Sequence, residues 1–411
     1  MSGQEARGDP LNQGLPPELV DNMIQFCSDD RDTLCSLSLV CKSWLPLVQS
    51  YLFDRICIKP LPENERCDSV LKTLTIYYIQ HVVLNLGPQR EFTGNEEGEV
   101  RYLLEVVDRL KDSKVLKSLS IWIYHRPNFT PYRQLLEKLS SGSFRTILEL
   151  KIYFGDLQDI VIADIIRFIC SFPRLQALCG EFFSLVAPSN MVDSVTPVVQ
   201  YTLPTSLNAL RVWVPSTSDA TDDLDKWFSS QSPRAVSELS ISMTPSLKFP
   251  FYAASCSRCL RTLTLLLYPD SQSPGPYDYD LLSFKLLESL TIVSPSKHHH
   301  FVTIHRMLET ISSSPRFRRL KLINVSVFDT TFREQLRTLD NILATEKFKD
   351  TVVEIDFLNI LCKELEPCEQ EVRSCLRKCF MQGRLEVLAQ EITISNGRAR
   401  KNQWWNGPVC L

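Results

Sequence analysis

Residues Leu15 to Phe53 read LPPELVDNMIQFCSDDRDTLCSLSLVCKSWLPLVQSYLF, and the reading of the whole chain turns on them. Pro16 and Pro17 followed by Glu18 open a helix, with proline in the first turn and an acid near the positive end of the dipole. The helix is expected to run to about Cys27, because Leu19, Val20, Met23, Ile24 and Cys27 recur at intervals of three and four. Asp29, Asp30 and Asp32 punctuate, and Asp32 or Thr33 is the expected cap of a second helix. That helix carries Leu34, Cys35, Leu37, Leu39 and Val40, more apolar positions than one face holds. A third set, Trp44, Leu45, Leu47, Val48, Tyr51, Leu52 and Phe53, repeats the excess. A unit of about 40 residues buries barely enough surface to fold alone. Its surplus apolar area must therefore be covered, by the rest of the chain or by a separate protein.

Two blocks in this stretch have a recognisable spelling. Leu15, Pro16, Glu18 and Leu19 form L-P-x-E-L, and Leu37, Leu39, Val40, Cys41, Lys42 and Trp44 form L-x-L-V-C-K-x-W about two dozen residues later. Together they resemble an F-box, and the wording L-P-P-E-L-V-D with S-W-L-P after the V-C-K block is similar to the large F-box families of mushroom-forming fungi. Pro46 departs from the family pattern and is tolerable only if the third helix begins close to it. The resemblance implies a short three-helix unit that docks on a Skp-type adaptor and, through it, on a cullin, within an SCF-type cullin-RING ubiquitin ligase. It implies an adaptor contact made by Leu15, Pro16, Leu19, Ile24, Leu34, Leu37, Val40, Cys41 and Trp44. It says nothing of what the remaining residues bind.

Outside this unit one pattern returns: an amphipathic helical stretch, a break, then a leucine two or three residues before a brief apolar strand. Three joins share their spelling, at Ser171-Phe-Pro-Arg, Ser232-Pro-Arg and Ser314-Pro-Arg, where proline stops a helical pattern. Taking Leu119, Leu150, Leu178, Leu210, Leu239, Leu263, Leu290, Leu320, Ile355 and Leu388 as equivalent, the spacing runs from about 24 to about 35 residues. That straddles and exceeds the ~20 to 29 of leucine-rich repeats. The repeats are degenerate, since the asparagine or cysteine expected after each L-x-L is mostly missing, with Asn324 the nearest approach. The expected fold class is α/β: a three-helix unit followed by an irregular, leucine-rich-repeat-like solenoid with parallel strands inside and helices outside. Helices are expected over residues 100–111, 132–139, 158–170, 221–228, 304–311, 331–344 and 368–381, with Arg55 to Lys59 as a first edge strand. The divisions follow: a disordered N-terminus (1–14), the F-box-like unit (15–55), the solenoid (56–394) and a C-terminal tail (395–411).

Composition narrows the function classes. The 411 residues are 44% hydrophobic and 23% charged, which is globular, and a net charge of -3 gives no general nucleic-acid footprint. No apolar run approaches the roughly 20 residues that span a bilayer, and the polar start MSGQEARGDPLNQG is unlike a signal peptide, so the expected location is cytoplasmic or nuclear. Fourteen cysteines scattered through apolar patterns read as reduced core thiols rather than disulfides. Only 13 glycines argue against phosphate-cradling loops.

Candidate chemistry is sparse. Cys256-Ser-Arg-Cys259 is a lone C-x-x-C without a second pair or nearby histidines, and it leads into a strand, so packing is the expectation. His298, His299 and His300 read as a solvated loop, and Cys368, Cys375 and Cys379 as core with Val372 and Leu376. Arg316, Arg318, Arg319 and Lys321 form a basic cluster, and Arg398, Arg400 and Lys401 precede Trp404 and Trp405. A solvated face and a polar tail are the readings that fit the overall charge. No nucleophile elbow, Walker loop or H-E-x-x-H occurs, so no catalytic residue, metal or cofactor is expected.

The function that the F-box resemblance implies is that of a substrate receptor, whose solenoid holds a protein target while the helical unit holds the adaptor. An interaction scaffold acting outside a ligase is the alternative. An enzyme using the concave face of the solenoid would require convergent titratable groups at strand ends.

Overall fold

A computed structural model of the chain describes residues 15–28, 30–59, 78–86, 96–111, 113–124, 130–141, 144–155, 162–183, 201–213, 226–231, 236–243, 253, 256–267, 281–294, 300–311, 316–324, 330–358 and 362–390. The expected N-terminal segment 1–14 and tail 395–411, with Trp404 and Trp405, lie outside them, as do His298 and His299, whereas His300, expected in the same loop, is the first residue of a helix.

Three helices come first: α1 (Pro17–Phe26), α2 (Arg31–Leu37) and α3 (Leu45–Leu52). Pro16 caps α1 with extended φ -48 and ψ 136, and Pro17 supplies the first turn, where its missing N–H costs nothing. The cap of α2 is Asp30 rather than Asp32 or Thr33. Its extended backbone sets the carboxylate ahead of the helix, where Oδ1 accepts from the Asp32 and Thr33 amides at 3.1 and 3.2 Å. The Thr33 hydroxyl donates to Oδ2 at 2.6 Å. Pro46 sits in the first turn of α3, which starts at Leu45, so its missing N–H falls where no intrahelical bond is lost. The three helices enclose a core of Val20, Ile24, Leu34 and Val48, separate from the main core, with Leu37, Trp44, Leu47, Tyr51 and Leu52 partly buried around it. The Tyr51 hydroxyl donates to Asp21 at 3.1 Å and ties α3 to α1.

From Arg55 onward the chain winds into one twelve-stranded sheet whose order is the sequence order, every neighbouring pair parallel. This is a solenoid-like α/β fold. The strands are β1 (Arg55–Ile58), β2 (His81–Leu86), β3 (Ser118–Tyr124), β4 (Glu149–Gly155), β5 (Ala177–Phe183), β6 (Ala209–Trp213), β7 (Glu238–Met243), β8 (Thr262–Leu267), β9 (Ser289–Ser294), β10 (Arg319–Asn324), β11 (Val352–Leu358) and β12 (Leu385–Gln390). The helices between them are α4 (Glu96–Leu110), α5 (Thr130–Ser140), α6 (Ile162–Cys170), α7 (His300–Ile311), α8 (Thr330–Leu343), α9 (Cys362–Cys375) and α10 (Arg377–Met381), with a short helical turn over 226–230. The expected RICIK edge is β1, and it pairs with β2, a strand that the leucine pattern does not reveal.

The register makes the core legible. One row across the sheet runs Ile56, Val82, Leu119, Leu150, Leu178, Leu210, Leu239, Leu263, Leu290, Leu320, Val353 and Leu385. Eight of the ten positions taken as equivalent from sequence lie in it. The other two do not: Ile355 pairs with Leu322 and Leu388 with Asp356. Ile355 is two residues late on the same face. Leu388 is three residues late and therefore on the other face, where it is exposed. A second row, two residues before each strand, is equally buried and runs from Ile79, Leu116, Ile147 and Leu175 to Leu287 and Phe317. Leu103, Leu135 and Phe168 of the helices join the same continuous cluster. Burying strand and helix residues against neighbouring units is what stabilises an array whose units cannot close a core alone.

Gly180 breaks the row two residues further along, where Ile152 and Val212 flank it. The Phe182 ring fills the vacancy, so that a Cβ at Gly180 would lie 2.5 Å from it, and packs edge-on against Phe154 at 6.3 Å. At the far end, the single helix expected over 368–381 is two, broken at Leu376. Asp340 of α8 accepts from the amides of Lys378 and Cys379 at 2.9 and 3.0 Å, which starts α10 anew. Gly383, at φ 66, ends α10: the Gly383 amide donates to Phe380 O at 2.9 Å and the Arg384 amide to Cys379 O at 3.0 Å. The buried Arg384 guanidinium then donates to the carbonyls of Leu343, Phe348 and Thr351, fastening the last strand to the end of α8.

Candidate functional site

The described residues leave twelve large apolar side chains exposed, and seven of them fall within residues 15–45. They are Leu15, Leu19, Met23, Phe26, Leu39, Val40 and Leu45, with Phe26 92% and Leu39 87% exposed. The geometry of α1 explains four of these. At 100° per residue, Leu19, Met23 and Phe26 fall on one stripe, continued back to Leu15, while Val20, Ile24 and Cys27 fall on the adjacent stripe. The second stripe faces α2 and α3 and is filled. The first meets water along its length. Leu39 and Val40 lie in the turn that leaves α2, where the Leu39 and Val40 amides donate to Ser36 and Leu37 carbonyls at 3.1 Å.

The nine residues expected at an adaptor contact divide accordingly. Leu15, Pro16, Leu19, Val40 and Cys41 are exposed, and Leu37 and Trp44 are half-buried. Ile24 and Leu34 are 0% and 2% exposed inside the helical core, and a partner reaching them would have to part the helices. In this structure the two side chains hold the helical unit together. Met23 and Phe26 belong with the exposed set instead, and the 3.6-residue period marks Phe26 once its stripe is separated from that of Ile24. The Cys41 thiol accompanies the face, held below its ordinary range by the Ser43 hydroxyl at 3.1 Å.

No protein-family model matches the chain, and a search of curated proteins found no significant match.

The remaining candidates resolve into packing. Cys256 is buried and burial pushes its thiol up to about 12, while the Cys259 thiol donates to Val236 O at 3.1 Å. Cys375, Cys379, Val372 and Leu376 are core, while Cys368, expected with them, is only half-buried and lies outside that cluster. Among the described residues no three His, Cys, Asp or Glu side chains converge as a metal requires, and no helix is long and apolar enough to cross a membrane. Three cations of the basic cluster are ion-paired on β11 or just before it: Arg319 meets Glu354 at 2.8 Å, Lys321 meets Glu354 at 3.5 Å and Asp356 at 3.2 Å, and Arg318 meets Asp350 at 3.9 Å. On the sheet face away from the ladder, Glu181 is a buried carboxyl that desolvation pushes up to about 8. It is the laterally paired neighbour of Tyr153, whose ring packs tilted at 57° against Trp122 with centroids 4.8 Å apart.

Proposed function

We propose that the chain is a substrate-receptor subunit of an SCF-type ubiquitin ligase, its helical unit an F-box that docks on a Skp-type adaptor and its array a leucine-rich-repeat-like platform for a protein target. The observation that carries the reading is the open stripe of α1 beside a filled one. Water-exposed apolar side chains cluster on the one part of the molecule too small to use them internally, and burying each against a partner is worth about 1.5–3 kcal/mol. The F-box spelling of residues 15–44 names the occupant as a Skp-type adaptor, with Leu15, Leu19, Met23, Phe26, Leu39, Val40 and Leu45 as the contact. On this reading the chain performs no chemistry of its own: it raises the effective concentration of a target lysine near the ubiquitin-loaded enzyme, in the cytoplasm or nucleus.

Affinity purification of the full chain from cells of its source tests the reading. A Skp-type adaptor and a cullin should both be recovered, and both should be lost when Leu19 and Phe26 are changed to Asp. Recovery of the adaptor without a cullin would favour a scaffold outside a ligase, and recovery of neither would reject the reading.

A further inference from the structure

The two kinds of basic cluster in this molecule behave differently. Those on β10 are consumed by acids of β11. At the other end of the array, Lys114, Lys117 and Arg174 line one cleft of about 460 Å³ and none has an acidic partner among the described residues.

The repeat itself builds this cleft. Tyr78, Val115, Thr146 and Arg174 each stand three residues before the start of β2, β3, β4 and β5, whose first residues are in register. Gln80, Lys117 and Leu148 each stand one residue before β2, β3 and β4. The ladder continues through them, for the Lys117 amide donates to Gln80 O at 2.8 Å and the Leu148 amide to Lys117 O at 2.7 Å. Side chains of successive units are thus set side by side at roughly the 4.8 Å strand spacing. Ser50 of α3 also lines the cleft, which lies where the helical unit meets the array.

No Asp or Glu lines it among the described residues. Three positive charges beside the hydroxyls of Ser50, Tyr78 and Thr146 exceed what one carboxylate neutralises. They suit a group of charge near -2 with several acceptor oxygens: an arginine fork and two lysine point charges are the side chains that hold phosphate. The geometry points to a phosphate-binding cleft at the junction of the helical unit and the first repeats, taking a phosphate group borne by a small molecule or by a phosphorylated side chain. This goes beyond the adaptor reading and does not depend on it, because the cleft is separate from the open stripe of α1.

Calorimetric titration of the full chain with pyrophosphate, and separately with a matched peptide pair with and without phosphoserine, tests it. Saturable binding of pyrophosphate or of the phosphorylated peptide is expected, with the unphosphorylated peptide silent. Lys117→Gln and Arg174→Gln should each weaken it about tenfold, as loss of one charge-assisted bond does. Arg145→Gln, an exposed cation beside Thr146 that does not line the cleft, should change it less than twofold. Binding of pyrophosphate assigns the site to free phosphates as well; binding of the phosphopeptide alone assigns it to a modified side chain. Failure of both probes to bind, or equal weakening by Arg145→Gln, would overturn the proposal. All three side chains are exposed, and unchanged melting temperatures of the variants would confirm that affinity and not folding is being read.

Discussion

The helical unit and the array are both built from apolar residues at regular spacing, yet they dispose of them in opposite ways. In the array the leucine row and the row before each strand find counterparts on the next strand or on a helix, and the core among the described residues is one cluster from Ile58 to Cys379. In the helical unit only Val20, Ile24, Leu34 and Val48 are sealed, and a second stripe of equal apolar character lies open beside them. Repetition is the difference. A solenoid unit always has a neighbour to bury its surplus, whereas three short helices in isolation have none and must borrow one.

That contrast is open to breaking by substitution. Leu178→Ala, at the middle of the ladder, should cost about 2–5 kcal/mol in denaturant unfolding, because the cavity is closed in on both sides by Leu150 and Leu210. Next comes Glu181→Gln. The folded carboxyl, held up to about 8, stays protonated while the unfolded one ionises near 4.3, so wild-type stability falls as pH rises between those values and then levels off. The variant escapes this loss, and its melting advantage should grow from pH 5 to 8 to the order of a few kcal/mol. Asp340→Ala should cost about 1–3 kcal/mol, since it orphans two amides at the start of α10. The smallest effect is expected at Phe26→Ala, within about 0.5 kcal/mol, for a side chain that touches little of its own chain. A large loss there would mean that the open stripe is internal after all.

Much of the array was legible because L-x-L repeats fix a face, and a period of two fixes it strongly wherever the alternate positions are polar, as in Glu149-Leu150-Lys151-Ile152. It failed in β11, where Val-Val-Glu-Ile offers two apolar positions on the same face and sequence cannot choose the rung. It failed in β12, where Leu385 and Leu388 lie on opposite faces and only pairing with Val353 and Asp356 decides between them. The break at Leu376 was hidden for a different reason: the group that restarts the helix, Asp340, is 36 residues away. In the helical unit the surplus was readable but not its partition, because Ile24 and Phe26 look alike until the direction of the helical core is known. The phosphate cleft has no motif at all. Its residues come from separate segments and meet only through register.

The proposed function requires that the α1 stripe dock another protein. Its most direct test is the dissociation constant of the full chain for a purified Skp-type adaptor, measured by titration for the wild type and for Leu19→Asp with Phe26→Asp. The double variant should keep the wild-type melting temperature and lose at least a hundredfold in affinity, the sum of two lost apolar anchors. A folded double variant that binds the adaptor as tightly as the wild type would contradict the account.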